Sequence, residues 1–223
     1  YADKKSQTVD IGFLCAEPDK LATAFGLPEI VGESFAVIWT TTAWTIPANQ
    51  ALNLNPALDY ALVHTERGQL VLAASLVERC LERYGLVGRV IATTKGEKLG
   101  GIAFRHPLAH VHAGYDRLAP VYLADYATAE DGTGIVHSSP AYGVDDFVSC
   151  TAHGMKVEEI LNPVGAHGYY AQDFPLFHGQ NIWKAVPHII EALRDAGRLF
   201  ATDALTHSYP HCWRHKTPVI YRA

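Results

Sequence analysis

The chain is poor in the features that mark secreted, membrane-spanning or broadly nucleic-acid-coating proteins. Its four cysteines (Cys15, Cys80, Cys150 and Cys212) lie scattered through 223 residues. With a core of this size they imply no disulfide framework, and a reducing, cytoplasmic setting is the simpler reading. No apolar run approaches the ~20 residues needed to cross a bilayer. Lys and Arg number 18 against 23 Asp and Glu, a formal charge of −5. That excludes a domain-wide positive field, so a nucleic acid would have to be met locally or through another part of a longer protein. There is one methionine, Met155. The start, Tyr1-Ala2-Asp3-Lys4-Lys5, is neither a signal peptide nor an initiator sequence, and the chain stops on the apolar run Val219-Ile220-Tyr221. Both ends therefore read as cut from a longer polypeptide. No G-x-S-x-G elbow occurs, which removes the usual sign of a serine hydrolase.

What is present is a soluble globular composition, 48% apolar and 18% charged, long enough to bury a proper core. Strand signals dominate the first 140 or so residues: Val9 to Leu14, Phe35 to Trp39, Tyr60 to Val63, Arg89 to Thr93, Gly101 to Phe104, Pro120 to Ala124 and Gly134 to Val136. Glu66-Arg67-Gly68-Gln69 separates two β-rich runs and reads as a hairpin. Helices are predicted over Leu76 to Tyr84, Val144 to His153 and Ile182 to Ala196, each stopping at a glycine. The first carries a Ser75-x-x-Glu78 capping box, and Pro187 in the third is tolerable only near its N-terminus. The pattern predicts one α+β domain over 1–223, a mostly antiparallel, barrel-like β core with a few flanking helices. Residues from about 207 to 223 read as a return strand toward a neighbour outside the chain.

Two motifs carry chemistry. The first is Trp39-Thr40-Thr41-Thr42-Ala43-Trp44-Thr45-Ile46-Pro47-Ala48-Asn49, which follows an apolar strand. Alternation across a strand would put Thr40 and Thr42 on one face and Thr41 on the other. Such a run is either an ordinary threonine-rich edge strand or the wall of an uncharged pocket that donates and accepts hydrogen bonds. The second motif runs from Gly132-Thr133-Gly134 through His137 and Pro140 to Asp145-Asp146. It reads as a glycine-rich turn, a short buried strand, a strand-end histidine and carboxylates opening a helix. Asp145 has a capping role available through the helix dipole. Asp146 is harder to explain structurally if its carboxylate turns back to His137. Cys212-x-x-His215, with His207 and His211 nearby, has the spacing of half a zinc site. No second Cys/His pair supplies the other two ligands, so no metal is expected.

Together the two motifs resemble the editing domain inserted in isoleucyl-tRNA synthetases, class I enzymes that attach isoleucine to its tRNA. The resemblance runs along essentially the whole chain. It rests on W-T-T-T-x-W-T-I-P-A-N, on G-T-G-x-V-H-x-x-P-x-x-G-x-D-D, and on Tyr209-Pro210-His211-Cys212-Trp213-Arg214-His215-Lys216-Thr217-Pro218, which looks like the return to a catalytic domain. Valyl and leucyl relatives carry T-T-R-P at the threonine segment, and Ala43-Trp44 follows the isoleucyl form. Three positions depart from the family: Ala43 stands where proline is common, Tyr142 where many members have histidine, and His215 where some have a zinc-binding cysteine. The HIGH and KMSKS signatures of aminoacylation are absent.

The resemblance implies hydrolytic proofreading. A pocket built for isoleucine rejects valine by only about 1–3 kcal/mol, and this amino-acid pair is the usual illustration of that limit and of its double-sieve remedy. The expected substrate is the isoleucine tRNA 3′ end carrying valine, with valyl-adenylate as a second one. By the same resemblance Asp146 binds the α-ammonium. Thr40, Thr41 and Thr42 line the pocket, contact the ester and position water, and His137 narrows the pocket against isoleucine and also orients water. Trp39 and Asn49 support the wall and the terminal adenosine. No cofactor is expected in this segment, ATP and magnesium belonging to the full-length enzyme. The remaining partner is the rest of the synthetase chain, with no membrane and a monomeric state. The competing reading is a non-catalytic module that only docks the tRNA end.

Overall fold

A computed structural model describes residues 1–223. The first strand, β1 (Ala2–Cys15), is the spine: its first residues are mostly exposed, whereas Thr8 to Phe13 are buried on both faces. Helix α1 (Pro18–Phe25) follows, with proline in its first turn and a left-handed Gly26 closing it. Next come β2 (Ser34–Thr40), a buried 3-10 turn at Ala43–Ala48, and β3 (Ala51–Leu54). Strands β4 (Asp59–Thr65) and β5 (Gly68–Ala73) form the expected hairpin. Helix α2 (Val77–Tyr84) leads to β6 (Gly88–Lys95), β7 (Ala103–Arg105), β8 (Leu118–Leu123) and β9 (Ile135–Ser138). Helices α3 (Val144–Ala152) and α4 (Ile182–Asp195) precede the last strand, β10 (Leu199–Tyr209).

The strands form one sheet ordered β6-β4-β5-β2-β1-β7-β8-β3-β9, with β10 attached to β1. All pairings are antiparallel except β2 with β5 and β3 with β8. The sheet is open, and this corrects the barrel-like expectation: β6 and β9 end the path and no ladder joins them. The path nevertheless curls, so that β9 comes back against β2. Single bonds stitch that return, from the Ala73 N–H to the Thr133 carbonyl at 2.9 Å and from the Tyr60 hydroxyl to the Gly134 carbonyl at 2.7 Å. Gly134 has φ +78°, and a Cβ there would lie 2.3 Å from that of Ala73. Only glycine lets the second motif approach this closely.

Other expectations changed as well. Ser75 makes no capping bond, because the chain enters α2 through a 3-10 turn and Leu76 takes the cap position in helical conformation. Pro187 lies in the second turn of α4, whose Asn181 cap accepts from the Trp183 N–H at 3.1 Å. The closing strand is Leu199–Tyr209, paired to β1 from Ala2 to Ile11. Beyond it only the isolated bridge of His211 with Pro218 is β-like. No helix is long and apolar enough to cross a membrane.

Candidate functional site

The threonine segment does not continue as a strand. β2 ends at Thr40, whose Oγ1 accepts the Thr42 N–H at 3.0 Å and turns the chain. The expected alternation therefore fails: Thr41 and Thr42 lie beyond the strand, with hydroxyls 3.4 Å apart. The chain then winds into the 3-10 turn, which is buried from Ala43 to Ala48. A buried irregular segment must satisfy its carbonyls individually, and side chains from distant elements do so. Tyr170 donates to the Trp44 carbonyl, and the Ser139 Oγ to that of Thr45 at 2.8 Å. His106 Nε2 meets Ile46 at 2.9 Å. Arg117 reaches both the Pro47 carbonyl and, at 2.9 Å, that of Asn49. None of these anchoring residues was singled out in the sequence, because nothing local marks them.

His137 lies in β9, next to its last residue Ser138, and is 8% exposed. Its Nε2 lies 3.0 Å from Thr45 Oγ1, and its Nδ1 is 3.4 Å from Asn49 Nδ2. Thr45 Oγ1 gives its one proton to the Thr42 carbonyl at 2.8 Å. His137 is then the donor to Thr45, and its Nδ1 accepts from Asn49. Burial holds the ring neutral, bringing its pKa down to about 4. Asn49 is itself buried and also donates to the Ala51 carbonyl at 2.9 Å, while its Oδ1 has no donor. It thus sits beneath His137. Trp39 packs elsewhere: its Cβ and ring lie against Gly132, and it lines a groove with Thr8 and Arg83.

Asp146, in the first turn of α3, does not turn to His137 as the spacing suggested. Its Oδ2 accepts the Ser139 N–H at 2.9 Å, and its Oδ1 lies 3.4 Å from Ser138 Oγ. Burial raises its pKa, partly opposed by those two hydrogen bonds, and Asp145 adds a further upward push. No cationic side chain pairs with it, since every ion pair in the chain lies elsewhere. The single Ser138 hydroxyl proton is shared between Asp146 and Asn53, whose Nδ2 bonds Ser149 Oγ at 2.6 Å. This ties β3, β9 and α3 together under the carboxylate.

Ser139 is therefore the junction of the two motifs, with its hydroxyl on the threonine segment and its amide on Asp146. The junction thus links the threonine segment, with the neutral His137 imidazole against Thr45, to a desolvated carboxylate that lacks a counterion. Such an arrangement can bind a cation and hydrogen-bond an uncharged polar group beside it. Ser139 and Thr45 were missed in the sequence, although both stand inside the motifs. Elsewhere, Cys212 Sγ lies 3.5 Å from His215 Nδ1, and no group of three or more His, Cys, Asp or Glu side chains is arranged to hold a metal.

The chain is 60% identical over 223 residues to an isoleucine–tRNA ligase of Azoarcus sp. (strain BH72), matching all of this chain and 23% of that protein. An isoleucine–tRNA ligase of Burkholderia multivorans is 58% identical over 224 residues, again covering all of this chain and 24% of the relative. The chain thus spans about a quarter of the length of these curated relatives. Among solved structures, the editing domain of P. knowlesi cytosolic leucyl-tRNA synthetase superposes with a TM-score of 0.66 at 10% identity, covering 90% of this chain and 98% of that one. GlLeuRS-CP1 gives 0.60 at 13% identity, covering 92% and 100%. These two show a shared fold. No family model matches the chain.

Proposed function

We propose that the chain, which matches about a quarter of the length of isoleucine–tRNA ligases at 58–60% identity, is a segment of that family and its hydrolytic editing unit, removing valine from mischarged isoleucine tRNA. The observation that carries this reading is the Ser139 junction, whose amide binds the Asp146 carboxylate, which has no counterion, and whose hydroxyl binds the Thr45 carbonyl in the threonine segment. An aminoacyl ester presents a fixed ammonium, a carbonyl and ribose hydroxyls. Asp146 answers the first, by a charge-assisted bond that also relieves its desolvation. Thr40, Thr41 and Thr42 answer the others and hold the attacking water.

His137 enters this scheme as a rigid wall. Its two ring nitrogens are engaged by Thr45 and Asn49, so its position is fixed and it excludes the extra methylene of isoleucine by shape. Asn49 acts through His137, and Trp39 is left out of the site because it packs on Gly132. The ester is already reactive, so holding water and carbonyl in line supplies most of the rate. The tRNA body and the amino-acid activation site belong to the remainder of the synthetase.

The test is to incubate the chain with valyl- and isoleucyl-charged isoleucine tRNA and follow release of amino acid. Release of valine with the isoleucyl ester spared supports the proposal. Tight binding of both without release would support a docking module instead.

A further inference from the structure

Arg117, just before β8, is half-buried and takes part in no ion pair. Its guanidinium donates instead to three main-chain carbonyls, those of Pro47, of Asn49 at 2.9 Å and of Gly114 at 3.2 Å. Burial without a counterion pushes its pKa down to about 10. A cation kept under that penalty needs a reason in its shape. The guanidinium is a planar fork of five donors, whereas a lysine ammonium is a single point that could not span these carbonyls. The arm behind the fork is rigid. Arg117 lies over the Tyr115 ring at 5.3 Å, and His106 stacks on that ring at 4.9 Å. Tyr115 is fully buried and donates to the Pro175 carbonyl at 2.8 Å. His106 Nδ1 accepts the Leu108 N–H at 3.2 Å, so its Nε2 carries the proton given to the Ile46 carbonyl. Together His106 and Arg117 grip the carbonyls of Ile46, Pro47 and Asn49, at the end of the buried turn.

What this grip fixes is the Asn49 side chain. Its Nδ2 donates to the Ala51 carbonyl at 2.9 Å and reaches His137 Nδ1 at 3.4 Å, while its buried Oδ1 has no donor. Turning the amide over would set Oδ1 against the Ala51 carbonyl, so the orientation is defined. A buried oxygen without a donor is unfavourable, and a shift of the Asn49 main chain would relieve it. The Arg117 fork on the Asn49 carbonyl opposes that shift. Thr45, which meets the other ring nitrogen of His137, belongs to the same turn. Both contacts that pin the imidazole thus issue from the segment that His106 and Arg117 hold.

We propose that Arg117 is a positioning residue that sets the size limit of the site: by fixing the Asn49 main chain it fixes the His137 imidazole, and with it the depth left for an amino-acid side chain. The inference rests on the proposed function for the identity of the ester, and on the hydrogen bonds alone for the hold on His137. Arg117→Lys keeps the charge and loses the fork, so the wall gives way although the cation stays.

The experiment measures kcat/KM of the chain for valyl- and isoleucyl-charged isoleucine tRNA in Arg117→Lys, in Asn49→Ala and in the double variant. Discrimination of one methylene is worth about 10–200-fold, so the preference for the valyl ester should fall by about tenfold or more in each single variant. Because Arg117 acts through Asn49, the double variant should lose no more than Asn49→Ala alone, whereas independent sites would add. General loss of packing lowers both rates together and leaves their ratio alone, so a partly unfolded variant still gives an answer. Arg105→Gln, at an exposed arginine facing Asp116, controls for loss of a cation and should keep the original preference. Nitrogen NMR of labelled histidine supplies a reading without any ester. The His137 Nδ1 resonance, identified by its loss in His137→Gln, should move toward that of an unbonded ring nitrogen in Arg117→Lys. The inference is overturned if Arg117→Lys keeps the original preference, if its effect adds in full to that of Asn49→Ala, or if the control lowers the preference equally. An unsubstituted chain that does not distinguish the esters sinks the proposed function. A displaced Nδ1 resonance in Arg117→Lys then still upholds the hold on His137, and an unmoved one overturns it.

Discussion

Replacing Thr45 by valine exchanges a hydroxyl for a methyl of nearly the same shape, and the structure says what that removes. Thr45 Oγ1 is the acceptor for His137 Nε2 at 3.0 Å and the donor to the Thr42 carbonyl at 2.8 Å. The Thr42 carbonyl is only partly buried and water can replace the lost donor. His137 is not so placed: its N–H, against the buried Thr45 side chain, would be left unpaired, which costs about 1–3 kcal/mol. A central value of about 2 kcal/mol corresponds to a Tm lower by about 4–8 °C in a chain of this size. Thr45→Ser keeps the hydroxyl and loses one methyl, a cost of about 1 kcal/mol. Urea unfolding at neutral pH, followed by tryptophan fluorescence, should rank wild type above Ser and Ser above Val. Deacylation of the valyl ester should survive in Ser and fall in Val, because an unpinned imidazole no longer shapes the pocket. A valine variant as stable and active as the serine one would show that the Thr45–His137 contact does not organise the site.

Further expectations follow from the same coordinates. Asp10 is 1% exposed and paired to Arg83 at 2.6 and 3.1 Å, with Tyr84 donating at 2.8 Å. Arg83→Ala strands that carboxylate and should cost about 3–5 kcal/mol in urea unfolding; a loss under about 1 kcal/mol would contradict the buried-pair reading. Burial holds both His137 and His106 below their ordinary range. Their unfolded forms titrate near about 6.5, so stability is intact above that pH and is lost as pH falls, by up to about 1.4 kcal/mol per unit for each ring. A flat stability profile between about pH 6.5 and about pH 5 would refute the neutral assignment. Gly134→Ala combines φ +78° with a 2.3 Å clash on Ala73, whereas Gly26→Ala meets only open space at φ +66°. The first should unfold the chain at markedly lower urea, and the second should cost only about 1–2 kcal/mol.

The strands that the sequence reveals are those in which burial and composition agree, such as Phe35 to Trp39 and Tyr60 to Val63. Strand β3 was not legible, because its Asn53 is fully buried and is satisfied by Ser138 and Ser149, partners far away in the sequence. Strand β10 was not legible either: its exposed Asp203 to Thr206 carry no apolar alternation, and its only ladder is to β1. The curl that brings β9 to β2 depends on Gly134 lying against Ala73, a contact no local pattern encodes. For the site, the threonine run, His137 and Asp146 are visible as motifs, but their wiring is not. Ser139 joins them through its amide and its hydroxyl together, and serine in a Pro-Gly loop reads locally as turn chemistry. The carbonyl anchors Arg117, His106 and Tyr170 are equally silent, since their role exists only once the 3-10 turn is buried.

Central to the proposed function is that the two motifs form a single site for an aminoacyl ester. A crystal structure of the chain with a non-hydrolysable amide analogue of 3′-valyl-adenosine tests it most directly. The ammonium should lie within hydrogen-bond distance of the Asp146 carboxylate, the carbonyl should face the hydroxyls of Thr40 to Thr42, and the valine side chain should abut His137. An analogue bound with its ammonium away from Asp146, or seated on a surface that includes none of these residues, would contradict it.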